Sequence, residues 1–423
     1  MPSSFNPNSP FGAPESHWQA GGSIRACRAT TLPTHAHVLV IGGGLLGTAT
    51  AYWLARSGLA TVLVEQGNLA AGATGRNGGF MVAGTAERFP AAVARLGHAT
   101  ARAVWQLTLD NRALLRQVLE EERIACDYRE PGHLHLALGT TQLAELADDA
   151  AALRAEGFAA ALLDRQQLQT LIATPLGPNI SGGLFAPEDG LLHSAKFVYG
   201  LAAAAEHHGA RIVTGTTLIS LTPDGDGILA RTTRGDLRAG AAVVAANAWI
   251  GQIIPALAGR VTPVRGQALA FAPSPAIFAH GMGAALTSTG EYWQQTPDGT
   301  IVLGGCRAVA PGQDVGIRDS RPTAEVQAAL EHALPSLFPA LAGLRVARRW
   351  AGLMAFTSDY LPIADRAPEL PNTWVVGGFC GHGMPFGMRL GQLLAEAAAG
   401  GTPPAALTPF RIDRASSTLS VQG

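Results

Sequence analysis

The chain has 423 residues, 30 basic against 31 acidic, for a formal net charge of -1. That balance argues against nucleic acid or an anionic membrane surface as the main partner. With 47% hydrophobic and 14% charged residues the chain has material for a large core, and its length suits two or three domain-sized units.

Residues 1–35 are rich in Pro, Ser, Asn and Gly and hold no apolar run of a secretory signal. They read as an irregular extension lying over the body. Cys27, Cys126, Cys306 and Cys380 form no CxxC or zinc pattern and are too few for a disulfide scaffold, which suits a reducing cytoplasm. Lys196 is the only lysine.

Residues 38–55 carry no charge, which raises the question of a membrane span. The pattern inside answers it. "HVLVI" is a β-branched run suited to a buried parallel strand, and it stops at Gly42-Gly43-Gly44. "LLGTATAYWLARSG" has helical spacing, with Leu46, Thr50 and Leu54 on one side, and "ATVLVE" is a second apolar strand. In Gly42-x-Gly44-x-x-Gly47, the first glycine permits the tight turn, the second leaves room for a pyrophosphate, and the third lets helix and strand pack closely. Glu65, 18 residues beyond Gly47, stands where a carboxylate takes ribose hydroxyls. Strand, glycines, helix, strand and acid in register predict a dinucleotide site. They do not separate NAD from FAD.

"GATGRNGGF" (72–80) is a second Gly-rich loop, suited to wrapping the rest of an extended cofactor. Thr74, Arg76 and Asn77 are expected to reach its phosphates or ring, while Gly78 and Gly79 allow close approach. Further on come helix-like stretches at 99–124 and 141–157. Residues 182–212 include a helix and the strand "ARIVTG". A hairpin pair is read at 223–239, then the central strand "AAVVAAN" and the helix "TAEVQAALEHALPSL". The last strand, "TWVVGG", runs into a Gly-rich loop and a helix near 384–389. His133 and His135 in "GHLHLAL" share one face of a strand, but no third ligand is placed near them and no metal is expected.

Taken in order, "GATGRNGG", "VVAANAWI" (243–250), "VTPVRGQ" (261–267), "YWQQTPDGTIVLGG" (292–305), "WAGLMAFTSDYLPIAD" (350–365) and "GGFCGHGMPFGMRLGQLLAE" (377–396) resemble the D-amino-acid oxidase-like family of FAD-dependent oxidoreductases. This group includes glycine and sarcosine oxidases, and "GATGRNGG" is most similar to the γ-glutamylputrescine oxidase branch. The resemblance implies an α/β fold: a discontinuous Rossmann-like FAD-binding domain (36–98, 189–252 and 350–410) plus an α+β substrate domain (99–188 and 253–349) with a mixed or antiparallel sheet. Residues 411–423 are left as a C-terminal tail. It implies non-covalent FAD, since the segment at Leu353-Met354 has no cysteine for a covalent flavin link. It also carries over cofactor positions: Leu45, Leu46, Gln66, Leu218, Ala246, Asn247, Trp249 and Gly352, with Gly378, Phe379, Gly381, Gly383 and Met384 around the flavin. His382 is the candidate proton acceptor or flavin polariser.

The implied activity is oxidation of an amine C–N bond by hydride transfer to flavin, giving an imine that hydrolyses, with O2 or another acceptor as electron sink. Where glycine oxidase has carboxylate-binding arginines this chain has Met354 and, at about its last loop, Gly381. The sarcosine oxidase lysine falls at about Pro385. Bidentate carboxylate recognition needs a guanidinium, so a primary or secondary amine, γ-glutamylated or N-alkylated, is favoured over a simple α-amino acid. A D-amino acid or glycine-type oxidase that uses Arg307 is the alternative within enzymes. A non-catalytic dinucleotide-binding protein is the alternative outside them. Tyr292, Trp293, Phe356 and Tyr360 are candidate pocket aromatics. With no lysine in residues 253–349, either another cation such as Arg265, Arg307 or His382 activates O2, or the enzyme passes its electrons to another acceptor and is a dehydrogenase.

Overall fold

The computed structural model describes residues 15–20 and 31–414. Its helices are α1 (His17–Ala20), α2 (Leu45–Arg56), α3 (Phe89–Leu96), α4 (His98–Glu121), α5 (Gly139–Ala155), α6 (Arg165–Leu171), α7 (Ser194–His207), α8 (Ile250–Ile253), α9 (Ala324–Leu337) and α10 (Gly387–Gly400). Its strands are β1 (His35–Ile41), β2 (Thr61–Val64), β3 (Phe80–Met81), β4 (His133–Leu138), β5 (Ala161–Asp164), β6 (Ile180–Ala186), β7 (Gly190–Leu191), β8 (Arg211–Val213), β9 (Leu218–Asp224), β10 (Gly227–Thr232), β11 (Gly235–Val244), β12 (Thr262–Phe271), β13 (Gly281–Ala284), β14 (Glu291–Gln295), β15 (Ile301–Gly305), β16 (Val346–Phe356), β17 (Ile363–Arg366) and β18 (Thr373–Gly377).

The apolar run 38–41 becomes the middle of the first sheet, ordered β17-β18-β11-β1-β2-β8. β1 runs parallel to β2, with Val40 opposite Leu63, and to β11, with Val40 opposite Val243. Parallel strands covered on both faces need apolar side chains on both, which is why these stretches read as continuous rather than alternating runs. The expected hairpin pair is built from β9, β10 and the first half of β11. β11 then continues as a central parallel strand, so one segment serves both roles.

α2 is buried nearly all round, more than the single expected face, because it lies against both α7 and α10. The approach of α10 depends on two glycines one turn apart. A Cβ on Gly391 would stand 2.6 Å from Ala49 Cβ and one on Gly387 2.3 Å from the Leu45 side chain. The two helices therefore pack almost backbone to backbone, with their N-termini toward the same end of the sheet's strands.

The second sheet is ordered β16-β12-β15-β14-β13-β4-β6-β5. Three sequence-based boundaries shift. β16 pairs with β12 along its length, from Val346 opposite Phe271 to Phe356 opposite Thr262, so the chain leaves the second sheet after 356 and not at 350. α4, grouped by sequence with the substrate domain, buries Val104, Leu107, Leu115 and Val118 in the core around α2, α7 and α10. Its Asn111 Oδ1 accepts the N–H groups of Met388 and Arg389 in the first turn of α10 at 2.8 and 3.0 Å. Residues 411–414 are not a free tail: Arg414 pairs with buried Asp359, Nη2 to Oδ1 at 2.8 Å, and Ile412 N–H donates to Asp365. Residues 1–14 and 21–30 of the expected extension, and 415–423, lie outside the described residues.

Gly391→Val is expected to lower unfolding stability by about 1–3 kcal/mol, because Ala49 Cβ and the α2 backbone cannot give way as a flexible side chain would. Urea denaturation of the purified variant beside wild type checks this.

Candidate flavin and substrate cleft

Between the two sheets lies a cleft of about 1940 Å³, more than twice a usual small-ligand pocket in the middle of the common range, with volume for a dinucleotide and a substrate beside it. Three loops form one wall. The first is the turn after β1. Gly42 takes φ +115° and a Cβ there would meet Ala245 O at 2.6 Å, while a Cβ on Gly47 would meet Gly42 O at 1.9 Å. Gly44 is the N-cap of α2 and makes no side-chain cap, so that helix end keeps donors and partial positive charge for an anion. Leu45 N–H donates to Thr74 Oγ1 at 3.1 Å. Glu65 accepts from Gly43 N–H and Gly67 N–H, both at 2.7 Å. Burial raises the pKa of this carboxyl and the two N–H groups oppose that rise. The acid thus braces the glycine turn as well as lining the cleft beside Gln66.

The second loop, 72–79, also lines the cleft. Its polar side chains mostly serve the loop itself. Asn77 Nδ2 donates to Thr74 O and its Oδ1 accepts from Gly79 N–H, each at 2.9 Å. Arg76, expected to reach the cofactor, donates from Nε to Ala71 O and from Nη1 to Ala351 O while packing on Gly352. It ties the loop to β16.

The third loop is 376–385, ahead of α10. Gly378 N–H donates to Asn247 Oδ1 at 3.1 Å, and Cys380 N–H to Ala355 O at 2.7 Å. Phe379, Gly381, His382, Gly383 and Met384 line the cleft, with Leu46, Leu218, Ala246, Asn247 and Trp249 on adjoining surfaces. Of the carried-over positions, Gly47 and Gly378 lie behind the wall, where one meets Gly42 and the other Thr357. The Cys380 thiol faces Thr357 Oγ1 at 3.6 Å and is pushed by burial to about 11, so it stays protonated and unreactive.

The opposite wall is one face of the second sheet. His135 (β4) stands opposite Gly283 (β13), Gly283 opposite Tyr292 (β14), and Tyr292 opposite Gly304 (β15). Each large side chain lies over the glycine of a neighbouring strand: a Cβ on Gly283 would be 3.0 Å from His135 Nδ1, and one on Gly304 2.4 Å from the Tyr292 ring. Met354 lies in the same way over Gly266, and its Sδ is 3.2 Å from where a Gly381 Cβ would be. The result is a flat floor of His133, His135, Tyr292 and Met354, with Phe80 edge-on to both His133 and Tyr292. Desolvation holds these groups neutral. It lowers His133 to about 3, His135 to about 4 and His382 to about 4, and raises Tyr292 to about 12.

Several candidate roles need correction. Trp293 points away from the cleft into the second sheet's other core, as alternation with Tyr292 requires. Arg265 is held by Asp314, Nε to Oδ2 at 2.8 Å and Nη2 to Oδ1 at 2.7 Å, and is not a free cation. His382 is neutral at pH 7, so it is not a cation either. Lys196 pairs with Asp127 at 2.7 Å away from the cleft lining. Arg307 does line it, donating to Gln313 O at 2.8 Å with its guanidinium 5.7 Å from the Phe356 ring centre. Phe356 and Tyr360 stand edge to face at 5.9 Å beside it. His133 and His135, considered in sequence only as metal ligands, are floor residues; among the described residues no group of three metal-ligating side chains comes together.

A model of FAD dependent oxidoreductases, the DAO family, matches residues 37–397. γ-Glutamylputrescine oxidoreductase of Escherichia coli K12 is 27% identical over 373 residues, covering 85% of this chain and 82% of that one. A D-amino acid dehydrogenase of Rhizorhabdus wittichii is 27% identical, covering 89% and 99%. The crystal structure of glycine oxidase from Geobacillus kaustophilus superimposes with a TM-score of 0.79 at 23% identity, covering 90% of this chain and all of that one. The chain belongs to the DAO family of FAD-dependent oxidoreductases. The residues present fit the cofactor: the N-terminus of α2 faces the cleft, the 376–385 loop ahead of α10 lines it, and Cβ-free positions give the backbone close access to it.

Glu65→Ala is expected to weaken FAD binding roughly 10- to 100-fold, the effect of two charge-assisted bonds to the turn. Fluorescence titration of flavin-stripped protein measures it. In ¹⁵N spectra of that protein, the imidazoles of His133, His135 and His382 are expected to show no titration between pH 8 and about 5, since burial lowers all three.

Proposed function

We propose that this enzyme oxidises the C–N bond of a primary or secondary amine without an α-carboxylate, a γ-glutamylated or N-alkylated amine being the favoured class. The observation that carries this reading is Met354. It fills the contact between β12 and the 376–385 loop with a thioether, leaving no guanidinium there to pair with a carboxylate next to the reacting carbon. The relative named for γ-glutamylputrescine supports an amine of this kind.

Bound FAD supplies the electron and hydride acceptor. The chain supplies orientation and dryness. Tyr292 keeps its proton and offers a hydroxyl on the floor. Phe356, Tyr360, Met354 and Phe80 present apolar surface around the substrate position. The desolvation that keeps His133 and His135 neutral also opposes a positive charge on the substrate, so the amine is held as the free base whose lone pair assists C–H cleavage. A cytoplasmic setting agrees with the buried, free Cys126, Cys306 and Cys380. Among the described residues no helix is long and apolar enough to cross a membrane.

A second reading, an amino acid oxidised with its carboxylate on Arg307, is favoured by the position of that guanidinium beside Phe356.

Anaerobic titration of the flavin spectrum with γ-glutamylputrescine, monoamines, sarcosine, glycine and D-alanine separates the two. The first reading expects bleaching by amines; bleaching by glycine or D-alanine alone would sink it. Recovery in air marks an oxidase, and recovery only with an artificial acceptor marks a dehydrogenase. For an amine substrate, kcat/KM is expected to rise with pH as the free ammonium deprotonates. Arg307→Ala should leave a monoamine's kcat/KM within about threefold but cut that of a carboxylated substrate roughly 100-fold, as loss of a charge-assisted pair would.

A further inference from the structure

The 72–79 loop is held from behind. Each carbonyl from Ala70 to Gly79, apart from that of Ala73, accepts a hydrogen bond: Gln19 Nε2 reaches Ala70 O and Ala71 O at 3.2 Å, Asn77 Nδ2 reaches Thr74 O, and Gly75 N–H reaches Gly72 O. Ser16 Oγ donates to Gly75 O, Trp350 Nε1 to Arg76 O at 3.0 Å, Trp18 Nε1 to Asn77 O at 2.5 Å, Gln294 Nε2 to Gly78 O at 2.5 Å, and Leu192 N–H to Gly79 O. Three of these donors, Ser16, Trp18 and Gln19, belong to one short N-terminal segment around α1. A four-residue helix has almost no stability of its own. Yet Trp18 and Ser16 are fully buried, and Trp18 stands edge-on to His193 at 5.1 Å with its ring against Gly79.

In a trans peptide the N–H points opposite to the C=O. Fixing the carbonyls of Arg76 and Asn77 on the outer side therefore sets the directions of the Asn77 and Gly78 N–H groups. Both residues line the cleft. We propose that Trp18, together with Ser16, is a positioning residue for the cofactor: the N-terminal segment clamps the outer carbonyls of the 72–79 loop, so that the loop presents its N–H groups to FAD. The inference rests on the reading of the cleft as the FAD site and extends it to a segment remote in sequence from the glycine motifs.

Trp18→Phe tests it, because an aromatic ring, smaller than the indole, remains and the N–H donor goes. FAD affinity is measured on flavin-stripped protein by fluorescence quenching, with visible circular dichroism of the bound flavin and thermal unfolding of the apoprotein alongside. The expected result is a dissociation constant raised roughly 3- to 10-fold, the range of one lost hydrogen bond, with an altered flavin dichroism and an apoprotein midpoint lowered by the smaller buried ring. Ser16→Ala removes a second carbonyl clamp without a large void and should raise the constant about threefold; it serves if Trp18→Phe does not fold. A Trp18→Phe protein that binds FAD with wild-type affinity and dichroism, whatever its melting temperature, would overturn the clamp and leave α1 a purely structural element. A wild-type chain that takes up no FAD would overturn the reading of the cleft and the clamp with it.

Discussion

The contact between Gly47 and the carbonyl of Gly42 governs how α2 leaves β1. With a Cβ on Gly47 only 1.9 Å from that oxygen, no other residue lets the helix start so near the strand. From that start the free end of α2 meets the cleft, Glu65 can reach Gly43, and α10 can settle alongside through Gly387 and Gly391. The dipole of α2 then points into the cleft, and Arg76 beside it is fixed on the carbonyls of Ala71 and Ala351. A helix end of this kind favours an anionic dinucleotide.

The second sheet solves a different problem. A flavin and its substrate need a broad flat surface, whereas large side chains normally stand upright on a sheet. Glycines at 266, 281, 283 and 304 allow Met354, His133, His135 and Tyr292 to lie across neighbouring strands. The same packing removes water from their polar atoms, and it drives the imidazoles and the phenol to their neutral forms. Shape and electrostatics therefore have one cause, the glycine rows.

Around the cofactor end, rigidity is assembled from distant parts of the chain. Asn111 on α4 caps α10, Arg76 ties a loop to β16, Trp350 and Gln294 come from the second sheet, and Trp18 comes from the N-terminal segment. A loop rich in glycine has many conformations to lose. Donors that hold its carbonyls reduce that freedom before the ligand arrives, which is the physical meaning of preorganisation here.

The sequence by itself determined the strand-turn-helix-strand unit, its acid, the second glycine loop and the final loop and helix. Those features obey local rules: a tight turn demands glycine within a few residues, and buried strands and helices write their periods along the chain. Alternation also placed His133 and His135 on one face. What that face opposes was decided only by tertiary structure, because β4 pairs with β13, whose residues lie nearly 150 positions later in the chain (Gly281 opposite His133). The same holds for the arginines. Arg265 and Arg307 look equally available in sequence, but Asp314 neutralises the first, while the second turns to the cleft beside Phe356. It holds too for α4, for the extent of β16 and for Trp18, whose partners carry no periodic signal. Long-range pairing sets which charges are quenched, which rings face the cleft and which loops are held, and no local pattern encodes it.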